Sequence, residues 1–363
     1  MRGQRGKRRW HGFERALVAG CAGLLVGACA SATPAPERVA VPTPTPTRAP
    51  ALPPTPPTPS ALPEVFESQD FIVTFAKPGD TAETLAARYL GDASKAWMIG
   101  DYARGRALAP GEEVVIPRRP WNPSGVETSG YQIVPVLCYH NLAEAAKGRL
   151  VLAASKFEEQ MRYLKANGYR VVSLRELVEF SQLGRQLPQR SVVLTFDDGY
   201  KSFKQYAYPI LKELGFTATL FVYTDYVGAG RNALSWSDLR DLQTEGFDVQ
   251  AHSKTHSDLR RAPGEGEAQH ARRMQAELAQ PQDLFEKNLG RRSSVIAFPY
   301  GAWDEGVLAK ASEYGYVAGF SVRRQGNASF IRPLAGNRSQ IYSEMTLEDF
   351  VKNLNVYQQE ILK

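Results

Sequence analysis

The segment that decides the fold reads VVLTFDDGY and runs from Val192 to Tyr200. Its β-branched and aromatic residues favour a buried strand, yet two adjacent carboxylates, Asp197 and Asp198, follow the apolar run. Like charges in contact repel each other, and a buried carboxylate is costly to desolvate. Because a bound cation would offset both costs, this stretch predicts a metal site at the end of a core strand.

Apolar strands alternate with amphipathic helices from Tyr131 to the C-terminus. The patterns predict strands at 133–139, 171–174, 192–196, 217–223, 248–251, 294–298 and 317–322. They predict helices at 155–167, 174–182, 202–214, 237–245, 268–289, 305–314 and 346–362. This alternation indicates an α/β fold with a parallel sheet, a β/α barrel or a variant of one. Functional residues of such barrels gather at the C-terminal ends of the strands, where Asp197 and Asp198 lie.

A second polar motif, VQAHSKTHSDL at 249–259, follows another predicted strand and places His252 four residues before His256. Adjacent residues at a strand end point in different directions, so one aspartate can bind a metal while the other faces the reacting atoms. An Asp-His-His set with an open position is typical of a catalytic zinc or similar divalent site, whereas structural sites usually have four protein ligands. Taken singly, the aspartates are also typical of a turn and the histidines of a surface pair.

Three motifs in order, TFDDG, HSKTH and FPYG at 298–301, give a more specific pattern. Over 131–363 the chain resembles the NodB-type polysaccharide deacetylases, carbohydrate esterase family four. The resemblance implies a distorted β/α barrel that removes acetyl groups from N-acetylated sugars with one divalent metal, most commonly Zn²⁺. It also implies roles for individual residues: Asp198, His252 and His256 as metal ligands, and Asp197 as the general base.

The resemblance extends to the substrate side of the site. It implies that the backbone N–H of Tyr300 in FPYG stabilises the oxyanion, with Pro299 beside the substrate; the alternative is that FPYG forms only a tight turn. Trp236 and Trp303 are candidate walls of a sugar cleft, although each is as typical of core or rim packing.

The general acid departs from the usual family pattern, in which a histidine near the C-terminus protonates the leaving amine. The chain has only five histidines, and none follows His270. His140 ends the predicted strand in YQIVPVLCYH, and this stretch resembles the N-terminal YH element of the circularly permuted poly-N-acetylglucosamine deacetylases. We therefore predict that His140 is the acid; the alternative is that it only caps a strand or bonds a neighbour.

A second departure concerns the arginine that orients the base in many family members. The corresponding position, two residues before Pro299, is Ala297. Either a different residue positions Asp197, or the pKa of Asp197 is tuned differently. The stretch FIRPLAGNR at 330–338 follows a late strand, and Arg332 within it is the candidate for positioning Asp197.

The N-terminus has the features of an export signal. The formal charge of +6 arises mostly from the first fifteen residues, which contribute +5, so the remainder gives no argument for binding nucleic acid. The apolar stretch at 16–28 is thirteen residues long and too short to span a membrane as a helix. LVGAC, ending at Cys29, resembles a bacterial lipobox, which predicts a lipoprotein signal at 1–28 and lipidation of Cys29; the alternative is an ordinary signal peptide.

Two further segments precede the barrel. Residues 29–63 are rich in proline and threonine and predict a disordered, extended linker. In 64–120, a β-α-α-β order with PGDT before the first helix and LAPGEEVVIP at the end resembles the lysin motif (LysM), which binds N-acetylglucosamine chains. The alternative is a degenerate module that serves as a spacer. After removal of the signal, Cys138 is left as a buried strand residue with no partner for an intramolecular disulfide.

These predictions describe an exported, lipid-anchored envelope protein that de-N-acetylates an N-acetylglucosamine polymer, either peptidoglycan or poly-N-acetylglucosamine. Two alternatives stay open: a non-catalytic glycan-binding envelope lipoprotein, and an amidase acting on small cyclic amides.

Overall fold

The computed structural model describes residues 64–360. The predicted signal at 1–28, the lipidation of Cys29 and the linker at 29–63 therefore lie outside the described residues. Within 64–360, no helix combines the length and the apolar character that crossing a membrane requires.

The first described residues form a small module in which two helices pack on a three-stranded antiparallel sheet. The strands are β1 (Val65–Glu67), β2 (Phe71–Phe75) and β3 (Glu113–Pro117), and the helices are α1 (Ala82–Leu90) and α2 (Ala96–Tyr102). Thr81 and Thr84 cap α1 reciprocally through their hydroxyls and backbone N–H groups. The predicted β-α-α-β order is present, with β1 added at the edge; its assignment as a LysM stays a prediction.

The remaining residues form the barrel domain and its flanking ribbons. The strands are β4 (Val126–Glu127), β5 (Gly130–Gln132), β6 (Val136–Tyr139), β7 (Asn141–Ala143), β8 (Val151–Ala153), β9 (Arg170–Val171), β10 (Ser191–Asp198), β11 (Thr219–Val222), β12 (Asp248–Ala251), β13 (Val295–Ala297), β14 (Ala318–Phe320), β15 (Ser339–Gln340) and β16 (Tyr357–Gln359). The helices are α3 (Ala154–Ala166), α4 (Leu174–Ser181), α5 (Tyr208–Leu214), α6 (Trp236–Thr244), α7 (Glu267–Met274), α8 (Gln280–Leu289), α9 (Glu305–Glu313) and α10 (Leu347–Val351).

The central sheet is parallel and has the order β14-β13-β12-β11-β10-β6-β15, with β9 pairing at the start of β10. Between β14 and β15 the ring is bridged by a single pairing of Phe320 with Gly336 instead of a strand ladder. This is the curved, incompletely closed sheet expected of a distorted β/α barrel. Because all these strands are parallel, the residues that follow them converge on one end of the sheet.

The core explains why β10 lies at the centre of the domain. Its residues from Ser191 to Asp197 are all buried. Tyr139 stacks on Phe196 with ring centroids 5.2 Å apart, and Phe157 and Phe203 meet Phe196 edge-on. The apolar part of VVLTFDDGY thus anchors the strand in the core and fixes the position of the two aspartates at its end.

The sequence-based elements agree with the structure except at a few places. The predicted helix at 346–362 is wrong: α10 ends at Val351, and β16 pairs antiparallel with β5. Asn353 ends the helix because its side-chain amide donates to the carbonyls of Asp349 and Phe350. The strand predicted at 171–174 is only β9, because Ser173 caps α4. The helix predicted at 268–289 is interrupted by a π-helical turn at Gln275–Ala279.

Candidate active site

The carboxyl ends of four central strands bring together most of the predicted site residues. His140 follows β6, Asp197 and Asp198 end β10, His252 and His256 follow β12, and Tyr300 follows β13. Each strand places its residues at the same end of the sheet because the strands run parallel. Residues far apart in the sequence therefore become neighbours at one mouth of the barrel.

Asp198, His252 and His256 form a cluster whose geometry fits a metal ion. One ligand atom from each lies within 4.8 Å of the other two. The Oδ1 atom of Asp198 is 3.7 Å from Nε2 of His252 and 3.5 Å from Nε2 of His256. This oxygen is buried and has no hydrogen-bond donor among the described residues. A cation at the centre of the cluster would satisfy it, and Asp-His-His leaves coordination positions open.

The histidine ligands are oriented by their surroundings. Nδ1 of His252 lies 2.7 Å from the carbonyl oxygen of Ala297, which can only accept, so Nδ1 carries the proton and Nε2 offers its lone pair to the cluster. Burial lowers the pKa of His252 to about 4 and also lowers that of His256, so both rings are neutral at physiological pH. Burial raises the pKa of Asp198 to about 6; a bound cation would act in the opposite direction.

Asp197 is held in a different environment, inside the barrel. Nη1 of Arg338 donates to its Oδ1 at 2.6 Å and Nη2 donates to its Oδ2 at 2.8 Å. Arg338 is fully buried and Asp197 is 3% exposed. Burial alone would raise the pKa of Asp197, but the guanidinium of Arg338, together with nearby histidines, holds it well below its usual range. Asp197 is therefore an ionised, fixed carboxylate, suited to accept a proton.

A second set of metal-ligand atoms, from Cys138, His140 and Asp197, also lies within 4.8 Å. This set fits a metal poorly. The Cys138 thiol donates to Oδ2 of Asp197 at 3.4 Å, and burial raises its pKa well above the usual value, so it stays protonated. Both oxygens of Asp197 already bind Arg338, whose charge repels a cation. Cys138 is buried in the strand, as the sequence predicts.

The structure corrects the choice of arginine. Arg332 is about half exposed and pairs with Glu305 at the surface, away from Asp197. Arg338, six positions later in the same FIRPLAGNR stretch, makes the bidentate contact. It immediately precedes β15, which pairs with β6, the neighbour of β10. The sequence feature that could have pointed to Arg338 is the strand that follows it. That strand has only two residues, too few to be recognised from a sequence pattern.

Backbone strain is concentrated around the cluster. Six described non-glycine residues have a positive φ, and four of them belong to this region: Asp198, Ser253, His256 and Tyr300. Such conformations cost about 1–3 kcal/mol each and persist where the surrounding structure enforces them. Asp198 has a φ of 75°. Nε2 of His252 is 3.7 Å from both carboxylates, but only Asp197 binds Arg338 and only Asp198 also lies within 4 Å of His256.

The loop between the two histidines is braced by Glu277, which the sequence analysis missed. One oxygen of its buried carboxylate accepts from the N–H groups of Lys254 and Thr255 at 3.0 and 2.9 Å, and the other accepts from the Thr255 hydroxyl at 2.6 Å. Glu277 lies in the π-helical turn between α7 and α8. Such turns interrupt helices frequently at functional sites, but no residue pattern in the polar stretch EAQHARRMQAE predicts one.

The FPYG segment forms a tight turn with a left-handed residue at Tyr300, whose φ is 60°. None of the described residues accepts a hydrogen bond from the Tyr300 N–H. Gly301 follows with a φ of 68°, and a Cβ there would lie 2.5 Å from Val322, so no other residue fits without movement. Pro299 is buried in this turn. The geometry leaves an unpaired N–H at the mouth of the barrel.

Four tyrosines surround the cluster, and only one of them was singled out from the sequence. Tyr300 contacts His256 with ring centroids 4.7 Å apart, and Tyr223 contacts the other side of His256 at 5.3 Å. Tyr226 stacks on Tyr223 and meets Tyr200 edge-on. The predicted cleft walls Trp236 and Trp303 both pack against the main core, Trp236 edge-on to Phe285; their role in sugar binding stays a prediction.

His140 lies beside Asp197, in the Cys138–His140–Asp197 cluster. Its Nδ1 atom is buried without a hydrogen-bond partner among residues 64–360. His270, by contrast, is on α7, where its Nε2 lies 2.9 Å from the carbonyl oxygen of Leu259. The fold and site together define a barrel protein with one predicted divalent metal site and a fixed carboxylate beside it.

Comparisons with known proteins show what the site region is similar to. Residues 184–319 match the family model described as polysaccharide deacetylase. Over this part of its length, which includes Asp197, Asp198, His252, His256 and Tyr300, the chain is similar to the polysaccharide deacetylases. His140 and Arg338 lie outside the matched residues, on either side.

Relatives and solved structures extend the similarity beyond the matched residues, although the chain spans less than two thirds of the length of the relatives it matches. The chain is 27% identical over 186 residues to YxkH of Bacillus subtilis, covering 51% of this chain and 63% of that protein. It is 27% identical over 183 residues to the poly-beta-1,6-N-acetyl-D-glucosamine N-deacetylase of Staphylococcus aureus, covering 48% of this chain and 62% of the relative. A polysaccharide deacetylase structure from Bacillus cereus, BC0361, superposes with a TM-score of 0.53 at 25% identity, covering 69% of this chain and 74% of that one.

The fold is also shared with the Streptococcus pyogenes deacetylase PplD, with a TM-score of 0.55 at 24% identity over 62% of this chain and 100% of that one.

Proposed function

We propose that this protein is a metal-dependent de-N-acetylase of an N-acetylglucosamine polymer. The single observation that carries the proposal is that two neighbouring carboxylates have different surroundings. Oδ1 of Asp198 has no hydrogen-bond donor among the described residues and lies near two histidines, whereas Asp197 is held in its ionised form by Arg338. The first arrangement suits a cation, and the second suits a general base.

Asp198, His252 and His256 would hold the metal, for which Zn²⁺ is the best match to a mixed imidazole and carboxylate ligand set. When bound, such an ion lowers the pKa of a coordinated water from about 15.7 toward about 7 and polarises a carbonyl group. Structural zinc sites are closed by four protein ligands, whereas three described ligands leave room for water and substrate.

The remaining steps belong to the chain's own residues. Asp197 accepts the proton of the attacking water, and Arg338 keeps its two oxygens in a fixed orientation. The unpaired N–H of Tyr300 donates to the oxygen of the acetamide as negative charge develops on it. His140, beside Asp197, donates a proton to the departing amine. Two side chains thus divide the roles, with Asp197 as the base and His140 as the acid.

The substrate is inferred from the relatives. A curated relative acts on poly-beta-1,6-N-acetyl-D-glucosamine, and the acid histidine on the first barrel strand is the permuted arrangement that the sequence predicts. Both favour poly-N-acetylglucosamine over peptidoglycan. We further propose that the chain is exported, that Cys29 carries a lipid anchor, and that the LysM-like module holds the domain near envelope glycans.

The test is acetate release from β-1,6- and β-1,4-linked N-acetylglucosamine oligomers by the full-length chain, with zinc and with a chelator. We expect zinc-dependent release, faster from the β-1,6 oligomer, that is abolished in Asp197→Asn and strongly reduced in His140→Ala. His270→Ala is the matched control, because this histidine lies on α7, bonds the carbonyl of Leu259 outside the metal-ligand cluster, and should leave the rate unchanged. Metal binding without release from either oligomer would favour the glycan-binding or small-amide alternatives. Unchanged release in His140→Ala would remove the acid assignment.

A further inference from the structure

A groove runs along the junction between the N-terminal module and the barrel. It consists of two adjoining cavities of 410 and 430 Å³ that share Arg104, Gln189 and Arg190. Each is within the size range of small-ligand sites, about 300–1,000 Å³. The first is lined by Trp121 and by side-chain amides, and the second by Trp97 and Asp101 of α2.

Trp121 gives this groove, called here the junction groove, an exposed aromatic ring. It is 37% exposed, and its indole is supported by Tyr102 edge-on at 5.5 Å and by Trp97 at 6.4 Å. Its backbone is also fixed, because Oε1 of Gln186 accepts from the N–H groups of Trp121 and Asn122 at 2.9 and 3.0 Å. A large, half-exposed indole held in one orientation is suited to stack against the apolar face of a ring.

Two buried amides have unused hydrogen-bonding groups in the same cavity. Gln186 is 7% exposed, and its side-chain NH₂ donates to none of the described residues. Gln132 is 6% exposed; its NH₂ donates to the Pro188 carbonyl, but its Oε1 accepts from none of the residues in 64–360. Neither atom is among the fully buried unpaired atoms, so both face the open cavity, where a polar ligand can bond one donor and one acceptor.

The charges of the groove select among polar ligands. Arg104, Arg190 and Glu127 line the first cavity, and none of them forms an ion pair with a described residue. The second cavity adds Arg170, Glu83 and Asp101, so the whole groove has three positive and three negative side chains. A neutral ligand suits this balanced lining, and no excess of carboxylates favours a polymer carrying several amines.

The groove lies at the opposite end of the barrel from the metal-ligand cluster. Gln186, Gln189 and Arg190 directly precede β10, and Asp197 and Asp198 end it. At about 3.3 Å per residue, the eight-residue strand separates the two places by about 23 Å. The groove is therefore too far away to be a part of the catalytic cleft.

We propose that the junction groove binds a neutral N-acetylated saccharide, with Trp121 stacking on a sugar ring while Gln132 and Gln186 bond its hydroxyl and amide groups. Because the groove is about 23 Å from the metal-ligand cluster, a long polymer can occupy both places at once. Binding in the groove then raises the effective concentration of the polymer at the active site. Only the identity of the polymer in this proposal rests on the proposed function.

The test compares Trp121→Ala and Trp121→Phe in the full-length, zinc-loaded chain. Co-sedimentation with insoluble N-acetylglucosamine polymer measures binding without turnover, and acetate release measures KM and kcat on long polymer and on a trimer. We expect Trp121→Ala to weaken co-sedimentation and raise KM for the polymer about tenfold, which corresponds to about 1.4 kcal/mol, with kcat and the trimer unchanged. Trp121→Phe should restore most of the binding, and the fully deacetylated polymer should bind more weakly than the acetylated one.

Phe330→Ala is the matched control, since Phe330 is 63% exposed and lies outside the groove beside Tyr131. Wild-type binding by Trp121→Ala, or an equal loss in Phe330→Ala, would overturn the proposal. Trp121-dependent co-sedimentation without any acetate release would instead refute the proposed deacetylation and leave the groove standing.

Discussion

The buried pair between Arg338 and Asp197 offers the sharpest test of the site. Arg338 is fully buried, and its guanidinium donates two hydrogen bonds to Asp197 and one to the Ser321 carbonyl. Arg338→Met keeps an unbranched apolar chain but removes the charge. Asp197 would then be a buried carboxylate without a cationic partner, keeping only the weak bond from the Cys138 thiol.

The expected loss of stability is large because the pair is buried. Removing one partner of a buried ion pair costs about 3–5 kcal/mol, since it leaves an uncompensated charge. Arg332→Met is the matched control: this arginine comes from the same stretch, but its pair with Glu305 is exposed, and exposed pairs contribute about 0–1 kcal/mol. Urea unfolding at pH 7 measures both variants.

A double-mutant cycle tests whether the loss arises from this contact. If it does, the losses in Arg338→Met and Asp197→Asn should be non-additive by at least about 1 kcal/mol, because the double variant leaves no unpaired charge. The pH dependence has a defined sign. The folded pKa of Asp197 is depressed, so the contribution is present above the unfolded value of about 3.9 and is lost as the pH falls toward the folded value.

Activity should fall as well, because Arg338 orients the proposed base. We expect kcat for acetate release to drop by at least about tenfold in Arg338→Met, with little change in Arg332→Met. A stability loss below about 1 kcal/mol in Arg338→Met, or additive losses in the cycle, would refute the reasoning that this pair is a buried, coupled unit.

Three other substitutions test the rest of the site. Asp198→Asn should reduce bound zinc, measured by elemental analysis, to well below one ion per chain; full occupancy would contradict the assignment of this oxygen as a ligand. Glu277→Gln should weaken zinc affinity about 10-fold, because it loosens the loop that presents the histidines; wild-type affinity would show that this brace is dispensable. Gly301→Ala should destabilise the chain by at least about 1 kcal/mol more than Gly290→Ala in thermal or urea unfolding. Both glycines have a positive φ, but only the first would place a Cβ against Val322. Equal losses would rule out the steric argument.

Local patterns were enough to predict most of the fold. Alternating apolar strands and amphipathic helices identified the parallel α/β domain, because burial on a sheet or helix face imposes its period on the sequence. The prediction failed at 346–362, where Asn353 ends α10 and β16 forms only by pairing with β5, more than 200 residues earlier. Strand pairing over such a distance leaves little trace in local composition.

The sequence by itself determined the metal-ligand motif and the neighbouring carboxylate, because Asp197, Asp198, His252 and His256 lie in two short segments whose spacing carries the chemistry. Only the tertiary structure decided which arginine reaches Asp197. Arg332 and Arg338 are the same residue type and lie six positions apart. The contact that distinguishes them, between Arg338 and Asp197, joins residues 141 positions apart in the chain. The choice follows from the order of the parallel strands, which places the residue preceding β15 inside the barrel and leaves the earlier arginine at the surface.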